Sequence, residues 1–217
     1  MRYIIAATLA LGAIACSTPA ADPPAAVRDA AQAVGNVLDS WKKKLDDPSA
    51  KPDSVSLSAE RDAISITSGP AGIYYKSDMK AEKDYTASAT FSELKATPQP
   101  VEYGLFVAGT NLDKDTAHYT ALLVRADGKY RIVSVDGATQ KAIVDWTTAA
   151  PMMEPKGAKT SNTLTIRALQ DGLHFLINDK ELHQMPRLEA GEDGVAGVRV
   201  GPGLSVQVSK LDVKKFP

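Results

Sequence analysis

The chain has one cysteine in 217 residues, three histidines and an aromatic content of only 6%. A lone thiol cannot close an intramolecular disulfide, so any fold must hold by its own core. The histidines, His118, His174 and His183, stand at no spacing that pairs one with a second ligand, which points away from zinc. Serine-nucleophile machinery of the G-x-S-x-G kind is absent. No glycine loop leads into a helix to cradle phosphate; Gly201-Pro202-Gly203 is followed by another strand pattern. The 25 basic residues balance 26 acidic ones without forming a stripe, which excludes nucleic acid as an expected partner. The one long apolar run, Tyr3 to Ala15, falls short of the ~20 residues that a bilayer-spanning helix needs.

That run has the form of a secretory signal behind the basic Met1-Arg2. The only cysteine follows it directly, in Ala13-Ile14-Ala15-Cys16, with Ala13 where Leu is usual. This resembles the lipobox of bacterial lipoproteins. The resemblance implies cleavage before Cys16, lipid on its sulfur, and anchoring of the mature chain to a membrane. Ser17 in place of Asp resembles the pattern sent to the outer membrane, so a cell-envelope location is expected, on its periplasmic or surface face. Ser17 to Ala26 is small, polar and proline-rich, as a semi-extended linker is. Val27, Ala31, Val34, Leu38, Trp41 and Leu45 then recur at helical spacing. Gly35-Asn36 interrupts them, so two readings stand: one helix over 25–45, or a helix ending near Gly35 with Asp39 to Asp47 extended. The expected organisation is a signal over 1–15, a lipid-anchored linker over 16–50 and a folded domain over 51–217.

From Val55 onward twelve short β-rich runs recur between turn signals. They leave no room for crossover helices and predict an all-β fold, two antiparallel sheets packed as a sandwich. The clearest hairpin is AHYTALLVRADGKYRIVSV, closed at Asp127-Gly128. Its Leu122/Val124 side reads as core. Its Tyr119/Arg125 side, mixing an aromatic and a cation, reads as an accessible surface. A two-residue loop would pair Arg125 with Tyr130, and a three-residue loop with a bulge at Gly128 would pair it with Lys129.

The order of features resembles a concanavalin A-like jelly roll of the laminin-G-like and 3-keto-disaccharide-hydrolase type. It runs from Tyr103-Gly104-Leu105-Phe106 through a hairpin, Trp146, Asn162 to Ile166, Phe175 to Asp179 and Gly194 to Val198, ending in an alternating strand before Phe216. That class includes lectins, carbohydrate-binding modules, glycosidases and structural domains, and fold does not choose among them. Family 16-type glucanases of this fold carry closely spaced acidic residues on one strand, since retention needs two carboxylates about 5 Å apart. No E-x-D-x-E run occurs here, and Glu102, Asp145 and Glu181 are isolated.

The expectation is therefore a non-catalytic module that binds a glycan or other polar ligand, with no catalytic residues assigned. The alternatives are a glycoside-processing enzyme of the 3-keto-disaccharide-hydrolase type and a structural envelope lipoprotein that docks another protein. Tyr119, Tyr130 and Trp146 supply aromatic faces and Arg125 and Arg131 supply donors for a ligand. Asn111, Asp113 and Asp115 place oxygens at alternate positions of one loop and form the one candidate calcium site. No other cofactor is expected.

Overall fold

From Tyr85 the chain alternates by chemistry, Tyr-Thr-Ala-Ser-Ala-Thr-Phe-Ser, and a strand turns successive side chains to opposite faces. In the computed structural model Tyr85, Ala87, Ala89 and Phe91 are fully buried. Thr86, Ser88, Thr90 and Ser92 face outward between them, partly exposed. The model describes residues 37–60, 62–95, 97–152, 161–187 and 193–216. The expected signal, Cys16 and the linker to residue 36 lie outside these residues.

The described strands are β1 (Trp41–Leu45), β2 (Ser56–Glu60), β3 (Ala63–Thr67), β4 (Gly72–Ala81), β5 (Tyr85–Lys95), β6 (Tyr103–Thr110) and β7 (His118–Arg125). They continue with β8 (Lys129–Asp136), β9 (Thr139–Thr148), β10 (Ser161–Leu169), β11 (Gly172–Ile177), β12 (Lys180–Met185), β13 (Gly194–Val200) and β14 (Ser205–Lys215). One sheet, A, has the order β1-β4-β13-β6-β7-β8-β9, and the other, B, β12-β11-β10-β5-β14-β3-β2. Neighbours pair antiparallel, as between β13 and β4 or between β14 and β5. The two sheets pack face to face as a jelly-roll sandwich, as the spacing of the strand patterns predicts.

Between the sheets lies the main core, with Tyr74, Leu105, Leu122 and Ile132 from sheet A meeting Phe91, Leu164, Ile166 and Phe175 from sheet B. Outside, sheet B carries rows of small hydroxyls that bond across strands, Thr90 to Thr163 at 2.9 Å and Ser92 to Ser161 at 2.6 Å. Its far end holds His174, nearly buried, with Nδ1 2.8 Å from Glu181 Oε2 and Nε2 3.1 Å from Asp171 Oδ1.

Sheet A differs, for it is apolar on both faces. Its outer face carries a second cluster of Ile73, Tyr75, Phe106, Tyr119, Ala121, Leu123 and Val133. The Tyr119 side of the hairpin is thus packed rather than open: Tyr119 is 4% exposed, and its ring lies 5.0 Å from that of Phe106. The hairpin closes on three residues, with Arg125 opposite Lys129 and Gly128 at φ +76°. That register puts Tyr130 opposite Val124, so its side chain joins the inter-sheet core and not the face assigned to ligand.

Two further expectations are corrected. Trp41–Leu45 is a strand paired with β4, which agrees with the extended reading of 39–47 and not with one helix over 25–45, and the sandwich begins before residue 51. Edge pairing with β4 overrides the helical spacing of Trp41 and Leu45, which, like Leu38, still pack against the main core. The helical reading of 25–36 falls outside the described residues. Lys180–Met185, charged and without a clear alternation, forms β12 by pairing with β11.

His174 carries a pH dependence. Burial disfavours its charge, but the hydrogen bonds to Asp171 and then Glu181 outweigh that and raise its pKa above 6.5. A raised pKa contributes stability below the unfolded value that is lost as pH rises through the folded one. The melting temperature of the full chain should therefore contain a component that declines as pH rises from about 6 to about 8. The His174→Gln chain should lack that component; identical pH slopes in the two would contradict it.

Candidate functional site

In Gly-Val-Ala-Gly-Val-Arg-Val, strand β13, the residues Ala196, Val198 and Val200 are fully buried in the inter-sheet core. Alternation therefore sends Arg199 to the outer face, yet it is only 8% exposed there. A buried guanidinium needs partners, because desolvating a charge is expensive unless it is paired and hydrogen-bonded. Arg199 donates from Nη2 to Asp46 Oδ2 at 2.6 Å and from Nη1 to Asp46 Oδ1 at 3.1 Å, a two-pronged contact. Nη1 also lies 3.2 Å from the Tyr119 hydroxyl, and Nε is 3.5 Å from Glu102 Oε1. Burial opposes the Arg199 charge, but these partners, led by Asp46, hold its pKa above its ordinary value. Burial pushes the Tyr119 phenol up, with Arg199 opposing.

Glu102 continues the chain of charges, its Oε2 2.5 Å from Nη2 of Arg131. It stands two residues before Gly104, which pairs with Arg199 on one side and Leu123 on the other. A Cβ on Gly104 would sit 2.0 Å from the Leu122 carbonyl oxygen, so that position must be glycine. The result is a ladder across the outer face, Asp46–Arg199–Glu102–Arg131, laid over an apolar cluster.

Beside Arg199 the surface opens into a cavity of ≈490 Å³. Leu45, Ile73 and Val135 give it an apolar lining, and Tyr119 and Gln140 add groups that both donate and accept. Its charges come in pairs: Asp46 with Arg199, and Asp115 with Lys44, whose Nζ lies 3.4 Å from Asp115 Oδ1 and also meets the Lys114 carbonyl. Lys44 and Arg199 balance Asp46 and Asp115, so the lining presents donors beside acceptors with no net charge. That suits a neutral ligand rich in hydroxyls.

Of the residues singled out from sequence, Tyr119 and Asp115 line this cavity. Arg125, Arg131 and Trp146 gather further along the same face. The guanidinium carbons of Arg125 and Arg131 lie 4.1 and 4.8 Å from the Trp146 ring centroid, and Arg125 is clamped by Asp127 at 2.7 Å. The Trp146 ring thus carries cations rather than standing free as a stacking platform. Tyr130 is in the core. Asn111 has φ +50° at the head of its turn, and Asp115 of the same loop turns to Lys44. Among the described residues no group of three or more His, Cys, Asp and Glu could hold a metal ion.

Sequence reasoning missed Arg199, Asp46, Lys44 and Gln140. Arg199 left one signal, a lone cation in a strand otherwise made of Gly, Ala and Val. Asp46 and Lys44 lay in a segment left open between a helix and an extended stretch, with no ligand role assigned, and nothing local marks Gln140. The isolated carboxylates are committed elsewhere: Glu102 to two arginines, Asp145 to the Trp146 backbone N–H at 2.8 Å, and Glu181 to His174 on the other sheet.

No family model and no curated protein matches the chain. Solved structures do. A carbohydrate-binding module, CBM66 from Bacillus subtilis, superposes with a TM-score of 0.61 at 10% identity, over 81% of this chain and 96% of that one. The metal-free carbohydrate recognition domain of Emp46p gives 0.56 at 11% identity, over 83% and 90%. A native glycosidic hydrolase gives 0.55 at 12%, over 82% and 90%. At such identities the likeness is one of fold, and it agrees with the two-sheet antiparallel order: the chain has the concanavalin A-like jelly-roll fold.

Proposed function

We propose that this chain is a non-catalytic glycan-binding module, held at the cell envelope by lipid on Cys16. The observation that carries the binding reading is the charge-balanced cavity on the outer face of sheet A, where Arg199, Lys44, Tyr119 and Gln140 stand among paired carboxylates. Neighbouring hydroxyls of a sugar each donate and accept, and such a lining offers both within one ligand's reach. The structural neighbours, among them a carbohydrate-binding module and a carbohydrate recognition domain, support the same reading by fold alone.

Glycoside chemistry asks for one carboxyl kept protonated beside a second that is free. Both carboxylates of the cavity are tied to cations. Glu93, whose pKa burial raises, stands on β5 of the opposite sheet and does not line the cavity. The site is therefore read as binding without turnover.

Thermal-shift measurements on the full chain in detergent micelles, against tetrasaccharides of glucose, mannose, galactose and N-acetylglucosamine with and without calcium, test the binding reading. At least one should raise the melting temperature. Gln140→Ala should weaken that ligand by roughly 0.5–1.5 kcal/mol, the value of one hydrogen bond, with the unliganded melting point unchanged. No shift, or one indifferent to Gln140, would count against the cavity. For the anchor, Cys16→Ser should move the chain from the membrane to the aqueous fraction; unchanged partitioning would rule the lipid out.

A further inference from the structure

Strand β1 is the edge of sheet A and pairs with β4 over five residues. With the chain just after it, it supplies Lys44, Leu45, Asp46 and Pro48 to the cavity. Trp41 and Leu45 are partly buried against the main core, and Lys76 stands 5.6 Å from the Trp41 ring centroid. The Asp46 N–H donates to the Ala71 carbonyl at 2.9 Å. The polar ties of this segment include those of the cavity itself, Asp46 with Arg199 and Lys44 with Asp115 and the Lys114 carbonyl. A short edge strand with one neighbour among the described residues belongs to the low-stability end of a sheet, where local opening precedes global unfolding.

We infer that β1 is a removable wall of the ligand site, so that its docking and glycan occupancy stabilise each other. The inference rests on the glycan reading above and adds the site's regulation. Lifting β1 removes one wall of the cavity, and it leaves Arg199, 8% exposed, with Glu102 as its carboxylate partner. A ligand that bonds to Asp46 or Lys44 and to Arg199 or Gln140 spans the wall and the sheet, and it must be released before β1 can leave. Such coupling is reciprocal: a filled site makes β1 opening rarer by the factor by which the docked form binds more tightly than the opened one, and opening β1 weakens the site by that same factor. Because β1 is the first described strand after the amino-terminal segment, a pull on that segment acts on the wall of the site before any other described strand.

Hydrogen–deuterium exchange on the full chain in detergent micelles reads β1 directly, with strand β7 as internal reference. Without ligand, Asp46→Asn should speed exchange of the amides at 42–46 by roughly tenfold or more, with β7 unchanged. With a tetrasaccharide of the panel at a hundred times its dissociation constant, exchange there should slow by up to about a hundredfold. Trp41→Ala, which lies outside the cavity, should speed β1 exchange, and the tetrasaccharide at the same multiple of its dissociation constant should slow it again. If no tetrasaccharide binds, the glycan reading fails and this inference with it. If one binds while exchange at 42–46 stays as it was, in the unaltered chain or in Trp41→Ala, the inference alone is overturned. It is likewise overturned if Asp46→Asn leaves β1 exchange unaltered.

Discussion

A guanidinium buried on the outside of a β-sheet is the constraint on which much of this surface depends. Arg199 faces away from the inter-sheet core yet sits among Ile73, Tyr119 and Phe106, where an unpaired charge would cost several kcal/mol. Compensation arrives from both directions along the sheet. Asp46 reaches it from the edge strand, and Glu102 folds back over Gly104, which cannot carry a side chain. Glu102 in turn is held by Arg131, and Arg131 shares the Trp146 ring with Arg125. The polar layer is a connected set in which each charge answers another, and the cavity opens where that layer meets the edge of the sheet.

The two sheets divide the work. Sheet B buries one face and turns a carpet of Ser and Thr to solvent, the ordinary arrangement of an antiparallel sheet. Sheet A buries its inner face in the shared core and covers much of its outer face with a second apolar cluster. That cluster makes the outer face stiff and locally dry, so hydrogen bonds offered there compete less with water. A ligand site built on packed strands is held more firmly than one on loops, and β1 is its least constrained part.

The fold was legible because burial of one face of a strand leaves a period-2 record in the sequence. Tyr85 to Ser92 states it most clearly. The site was legible only in part. Tyr119 was found, but for an accessible face that proved to be packed, because alternation gives the side of a strand and not what covers it. Tyr130 was a ligand candidate with the hairpin register left open, and a single residue of loop length, with Gly128 at positive φ, turns its side chain to the core face. Trp41 to Leu45 carries helical spacing and three lysines, and only its pairing with β4 makes it a strand. Asp46 and Arg199 are 153 residues apart, a separation at which no local pattern can announce a bond.

The central claim is that ligand recognition occurs in the cavity around Arg199 rather than elsewhere on the sandwich. A crystal structure of the chain grown with the tetrasaccharide that stabilises it most tests this directly. Sugar density is expected between Tyr119 and Gln140, with ring hydroxyls accepting from Arg199 or Lys44 and donating to Asp46 or Asp115. Sugar bound instead on the hydroxyl face of sheet B, or at Trp146 with the Arg199 cavity empty, would contradict it.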